Sequence, residues 1–164
     1  MNFRTKRGEL PMKDLTQVIH ENSIRTIPLV ATLGIEVRQA VVTDTEVVAQ
    51  TYLPDRPEQR NHVGGPHAGA MFTAAESATG AVIQAAFADL FDRMVPLIMN
   101  GKIRYQALAK GDVLTTARLS LAEVERTRAE LAAGTRPEFF INVEIAASGV
   151  TTGILETHWT LKPI

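Results

Sequence analysis

The sequence predicts an α+β domain in which one curved antiparallel sheet wraps a single apolar helix. Three observations carry that prediction. From Ala68 to Ala88 the chain holds one charged residue, Glu76, among Ala, Gly, Ser, Thr, larger apolar side chains and one Gln. So long a run with little polar face at the 3.6-residue period fits a helix enclosed on nearly all sides. Elsewhere, short stretches alternate apolar and polar residues, the period of a half-buried strand. Tight turns separate most of them, so neighbouring strands run antiparallel, and a sheet with one apolar face can enclose the helix.

At 164 residues the chain has room for one domain with a real core, spanning 1–164. Residues 1–29 form an N-terminal segment with a short helix and 30–162 the core. Hydrophobic content of 45% and a net charge of −1 fit a soluble globular protein with no electrostatic reason to bind nucleic acid. Cysteine is absent, which excludes disulfides and thiolate metal sites. His20, His62, His67 and His158 include no helical i, i+4 ligand pair, so no metal is expected. The basic start, Met1 to Leu15, lacks the apolar core of a signal peptide. The stretch from Ala68 to Phe91 is long enough to span a bilayer, but its Ala content with Glu76, Ser77, Thr79 and Gln84 argues against a membrane. A cytoplasmic location is the expectation.

The elements follow in order. Asp14 to Ile27 places Leu15, Val18, Ile19 and Ile24 near helical spacing, with Asp14 available as a cap and Pro28 closing the helix. Gly34 to Val42 and Thr45 to Leu53 are rich in β-branched residues and meet at Thr43-Asp44, the pattern of a hairpin. Pro54-Asp55-Arg56-Pro57 breaks the second strand and opens a polar loop to Asn61. Gly64-Gly65-Pro66 signals the start of the apolar helix, because Pro is tolerated in a first turn where its missing N–H is not needed. Asp89 and Asp92-Arg93 mark the return to solvent. Val95 to Ala107 sends Leu97, Met99, Ile103 and Tyr105 one way and Asn100, Lys102, Arg104 and Gln106 the other, as in a half-buried strand. Lys110-Gly111-Asp112 turns into a strand from Val113 to Ala122. Glu123 to Pro137, charged and Ala-rich, fits either a short helix or an extended hairpin tip. Phe139, Ile141, Val143 and Ile145 form one face of the next strand, and Ser148-Gly149 leads into the last, Val150 to Lys162.

The pattern Asn61-x-x-Gly64-x-x-His67-x-Gly69-x-x-Phe72-Thr73-x-Ala75-Glu76 resembles the helix-start motif of hotdog-fold acyl-CoA thioesterases, especially the phenylacetate-pathway type. The element order is also similar to a hotdog domain. The resemblance covers about residues 30 to 162. It departs from the usual motif at Ala68, where the first Gly of His-Gly-Gly is expected, and at Glu76, where the nearest subgroup often has Asp. The resemblance implies an acyl-CoA substrate, with coenzyme A as part of that substrate and no separate cofactor. It also implies a homodimer; free sheet edges and faces leave room for a homotetramer.

A carboxylate on an apolar helix is expensive to bury, so Glu76 needs a reason to be there. Thioester hydrolysis requires a carboxylate that attacks or activates water, and donors for the developing oxyanion. Ala68 and Gly69, in the first turn, would supply unpaired N–H groups with the helix dipole behind them. Glu76 would be the nucleophile or general base, its pKa raised by enclosure, with Asn61 available to hold it ionised. Ala68 and Glu76 are eight residues apart, or about 12 Å along a helix axis. One carbonyl cannot then reach both groups on the same helix, so each site would combine two chains.

Thr73, Thr79, Gly80 and Ile83 share the Glu76 face at i−3, i+3, i+4 and i+7. Similar enzymes often place a water-holding hydroxyl where this chain has Gly80, leaving Thr79 as a substitute. Met71 and Phe72 would line an acyl pocket, His67 would flank it, and Lys102, Arg104 and Lys110 would meet the CoA end. Plainer accounts stand beside these. Glu76 could be a satisfied interface carboxylate, Asn61 a loop closer, His67 a ring bonding the loop backbone, and Lys102 and Arg104 a solvated strand face. A 3-hydroxyacyl thioester dehydratase is a rival activity, since His62 and Glu76 are fourteen residues apart, as in similar acyl-carrier-protein dehydratases. The Phe-Pro and Pro-Gly features of that family are missing. A non-catalytic acyl-CoA binding protein is the other rival, although no helix-turn-helix precedes the domain.

Overall fold

The computed structural model describes residues 13–164. Residues 1–12, which hold most of the basic start, lie outside the described residues, as do the expectations that rest on them. The elements are β1 (Lys13–Asp14), α1 (Thr16–Thr26), α2 (Pro28–Leu33), β2 (Glu36–Val42), β3 (Glu46–Leu53), α3 (Ala68–Phe87), β4 (Met94–Tyr105), β5 (Val113–Ser120), α4 (Leu121–Ala132), β6 (Glu138–Ala147) and β7 (Val150–Pro163). The strands form one antiparallel sheet in the order β1-β2-β3-β5-β6-β7-β4. Helix α3 lies on its inner face and carries the chain from β3 to β4 at the far edge, which is the α+β arrangement expected.

Strict alternation makes the inner face. Val113, Thr115, Ala117 and Leu119 on β5, Phe139, Ile141, Val143 and Ile145 on β6, and Leu155, Thr157, Trp159 and Leu161 on β7 are all buried. Against them α3 presents Ala70, Ala74, Ala78 and Ala81, whose small side chains let helix and sheet approach closely, with Val82, Ile83 and Phe87 filling the far end. Each of those three larger side chains contributes about 1.5–3 kcal/mol by leaving water. The polar groups in this layer are paired. Thr51 Oγ1 donates to Ala74 O at 2.7 Å and lies 2.7 Å from Thr115 Oγ1. The β2–β3 hairpin closes at Thr43 as expected, its hydroxyl accepting from Glu46 N at 3.0 Å.

Several expectations change. Helix α3 is not enclosed on all sides. Gly69, Thr73, Glu76, Ser77, Gly80 and Gln84 form a stripe that neither the sheet nor α1 and α2 fully cover. Pro66 is not in the first turn; it bridges to Arg60, and His67 is the N-cap. Pro28 ends α1 but also opens α2, whose left-handed cap at Gly34 (φ 66°) delays β2 to Glu36. Strand β5 stops at Ser120, and the undecided segment is helical because Ser120 Oγ caps Glu123 N at 3.2 Å.

The largest correction concerns β4. Its register with β7 shifts between Ile98 and Asn100, placing a bulge at Met99. The extra residue reverses the parity. Leu97 shares the outer face with Asn100, Lys102 and Arg104, while Ile98 shares the inner face with Gly101, Ile103 and Tyr105.

Candidate functional site

The site forms where the start of α3 meets the loop before it and the end of β4. Asn61 organises the loop. Its Oδ1 accepts from Val63 N at 3.0 Å and Gly65 N at 3.1 Å, and its Nδ2 donates to Pro66 O at 3.2 Å. All of its side-chain polar atoms therefore serve the loop, and none is directed to Glu76 of the same chain. Gly65 passes so close to the Ala109 backbone that a Cβ there would lie 2.5 Å from the carbonyl oxygen. Close approach, rather than a special dihedral, fixes that glycine.

His67 then caps α3. Its Nδ1 accepts from Gly69 N at 3.0 Å, and a Cβ on residue 69 would press on that nitrogen at 3.2 Å. Of the two N–H groups expected to face a ligand, that of Gly69 is thus taken by the ring. That of Ala68 has no partner among the described residues, since the first backbone bond of the turn runs from Met71 N to His67 O. Tyr105 adds a contact that sequence reasoning missed. Its hydroxyl donates to Ala68 O at 2.7 Å, tying the end of β4 to the first residue of α3. The alternation had placed Tyr105 on an apolar strand face and gave its hydroxyl no role.

Two turns further on lies Glu76. It is half-buried, and burial alone pushes its carboxyl above the ordinary carboxylate range, with no hydrogen bond or charge contributing. Around it the hydroxyls look inward to backbone. Thr73 Oγ1 donates to Gly69 O at 2.9 Å, and Ser77 Oγ donates to Thr73 O at 2.7 Å. Thr79 does not substitute for a hydroxyl at position 80. It is fully buried, donates to Glu76 O at 2.7 Å and accepts from Trp159 Nε1 at 3.1 Å. Ile83 is likewise in the core. Gly80 faces open space, with nothing within 4 Å of where a Cβ would stand. Phe72 is half-buried, its ring seated over Gly101 of β4, where a Cβ would meet it at 3.1 Å. Lys102 and Arg104 lie on the outer face of the sheet, away from Glu76 of the same chain, and line an outer groove of about 840 Å³ with Arg118, Glu144 and Glu156. His62 is exposed in the loop, and Lys110 is exposed in its turn.

Among the described residues no cluster of His, Asp and Glu could hold a metal ion, and no helix is long and apolar enough to cross a membrane. An antiparallel sheet curved around one long helix, with the motif at the helix start, defines a hotdog-fold protein. The chain belongs to the family described as Domain of unknown function (DUF4442), whose model matches residues 16–161. Solved structures share the fold. One is a protein from Pseudomonas aeruginosa described as of unknown function and a probable thioesterase (22% identity, 94% of this chain and 97% of that one, TM-score 0.78). Another is a mutant thioesterase from Pseudomonas aeruginosa (14% identity, 91% and 94%, TM-score 0.63). A third is a mutant of the phenylacetic acid degradation protein PaaI from Thermus thermophilus (14% identity, 82% and 98%, TM-score 0.55). No curated protein matches the chain.

Proposed function

We propose that the protein hydrolyses small or medium acyl-CoA thioesters, using Glu76 of one subunit and the α3 start of another. The observation that carries this reading is the Glu76 carboxyl, half-buried and held by no hydrogen bond or charge, on the open stripe of the helix whose first N–H is unpaired. A structural carboxylate would be expected to have hydrogen-bond or charge partners. The thioesterase names carried by two structures of the same fold support the reading.

The thioester oxygen would sit at the Ala68 N–H, with the helix dipole favouring its developing charge. Glu76 would either take a proton from water as the oxygen attacks the acyl carbon or attack that carbon itself, giving an anhydride that water opens. In both routes the carbon–sulfur bond breaks and CoA leaves as the thiol. One water is consumed, and one acid and one thiol form.

The homodimer belongs to the same proposal. Strand β4 is the free edge beyond β7, and its Val95, Leu97, Ile98 and Met99 are each more than a third exposed. An unprotected apolar edge of that kind favours a second copy. Thiol release across a panel of acyl-CoA thioesters tests the activity. Wild type should release CoA, and Glu76→Gln should lower kcat by at least about a hundredfold, the range for losing a group that acts in the transition state. Unchanged release in the variant would remove Glu76 from the mechanism.

A further inference from the structure

Helix α1 and the far half of α3 enclose a second cavity, of about 410 Å³. Leu15, Val18, Ile19, Ala88 and Phe91 form an apolar wall, and Glu21, Asn22, Arg25 and Gln84 complete the lining. Val18 is 67% exposed and Phe91 36%, so this wall is not used up by folding. Helix α1 is nevertheless firmly placed. Leu15 N donates to Ala40 O at 2.8 Å, and Ala40 N and Val37 N donate to Thr16 Oγ1 and His20 Nδ1 at 2.9 and 3.1 Å.

One residue links the stripe that carries Glu76 to the cavity. Gln84 lines it and also ends the open stripe that runs from Glu76 past Gly80. The amide of Gln84 is already paired, its Oε1 accepting from Asn22 Nδ2 at 2.8 Å. A chain passing there meets satisfied polar groups and an apolar wall beyond, and the charged Glu21 and Arg25 are bonded to Gln17 and Asn22, conditions that suit a hydrocarbon chain along that wall.

We propose that this cavity receives the far end of the acyl group, so that α1 sets the chain-length preference of the hydrolase. The inference rests on the thioester-hydrolase reading of Glu76. Position 80 is the passage: with no side chain there, an acyl chain lies against the helix between the carboxylate and Gln84. Eight residues of helix separate Glu76 from Gln84, or about 12 Å. An extended chain advancing roughly 1.3 Å per carbon, given single bonds near 1.5 Å, needs about nine carbons to cover that length. Butyryl groups would stop at Gly80, and decanoyl groups would reach the Val18 wall.

Two variants test this by thiol release from butyryl-, hexanoyl-, decanoyl- and myristoyl-CoA and by calorimetric titration with decanoate. Val18→Asp puts a charge on the wall at an exposed position where folding is not at stake, and Gly80→Leu blocks the passage at a site with space for the side chain. In both, the ratio of kcat/KM for decanoyl-CoA to that for butyryl-CoA should fall at least tenfold, and decanoate affinity should weaken by a similar factor. An equal loss at every chain length, or no change in the ratio and in decanoate binding, overturns the proposal. If wild type releases no thiol from any thioester, the hydrolase reading fails. Decanoate binding weakened by Val18→Asp would still identify the cavity as the acyl-chain site.

Discussion

Glu76 differs from Asp14, Asp55 and Asp89 in one respect that chemistry can use: its carboxyl is shifted upward by burial alone. Asp14, Asp55 and Asp89 are all held below the ordinary carboxylate value by hydrogen-bond donors. The direction fixes the sign of its effect on stability. A carboxyl raised in the folded state opposes folding only once it must ionise. The cost is absent below the unfolded-state value, grows as pH rises to the folded-state value, and is constant above it. Removing the charge with Glu76→Gln should leave the melting temperature unchanged near about pH 3.5, where both proteins are neutral at this site. At pH 8 the variant should melt a few degrees higher than wild type, a shift of the size that small free-energy changes produce in a chain of this length. Thermal scans at the two pH values decide it. A wild type that is the more stable protein at pH 8 would mean that some group holds the carboxylate charged. The same shift should place the acid limb of kcat/KM above the ordinary carboxylate range.

At the scale of elements, helix α4 buries Val124 and Thr127 and bonds β6 through Arg126 to Glu138 O at 2.8 Å, while Arg128 ties it to α3. Arg128 donates through Nη1 and Nη2 to Asp89 at 2.9 and 2.7 Å, and through Nη2 to Ala86 O at 2.6 Å, joining α4 to the end of α3. The pair is open to water, so screening limits it to about 1 kcal/mol even with two parallel bonds. Arg128→Met, which also takes the guanidinium from over the Phe87 ring, should lower stability by at least about that amount at pH 7 in urea titrations. Asp89 is held low by Arg128, so the contribution is present above the unfolded-state value and disappears as acid protonates the carboxylate. A gap that persists into acid would assign the loss to packing. None of this docking was legible in the sequence, and the reasons are physical. Strands β5, β6 and β7 were legible because one face is buried and the other is wet, so a period of two is written into them. In β4 both faces carry apolar side chains, so the sequence conceals a bulge at Met99 that moves Leu97 to the opposite face. Helix α4 shows little besides charge and alanine, although Ser120-x-x-Glu123 was a usable start signal. On α3, alanine and glycine suit a buried face and an open stripe equally. The line from Gly69 to Gln84 therefore emerged only from the packing, while Glu76 and the loop from Asn61 to Gly69 were legible from residue type and spacing.

For the whole molecule the deciding question is whether one chain can hold a complete site. Eight residues of continuous helix keep Ala68 N–H and the Glu76 backbone about 12 Å apart, and no rotamer makes both meet one carbonyl. Two defective chains should therefore rescue each other if the site is shared. Ala68→Pro removes the donor at the first helical position, where Pro fits, and His67 before it is already extended (φ −63°, ψ 137°) as a residue preceding Pro must be. Glu76→Gln removes the acid. Each variant alone should be nearly inactive. Unfolded together in equal amounts and refolded, they should form half mixed dimers. In each mixed dimer one site pairs an intact Glu76 with an intact Ala68, and the other lacks both. The mixture should recover roughly a quarter of wild-type thiol release per subunit, from one good site in half of the dimers. A mixture as inactive as its components would mean that both groups serve within one subunit, and the shared site would have to be abandoned. Recovery that vanishes when Leu97→Lys is added to both chains would connect the rescue to the exposed β4 edge, because a charge there opposes pairing of two copies.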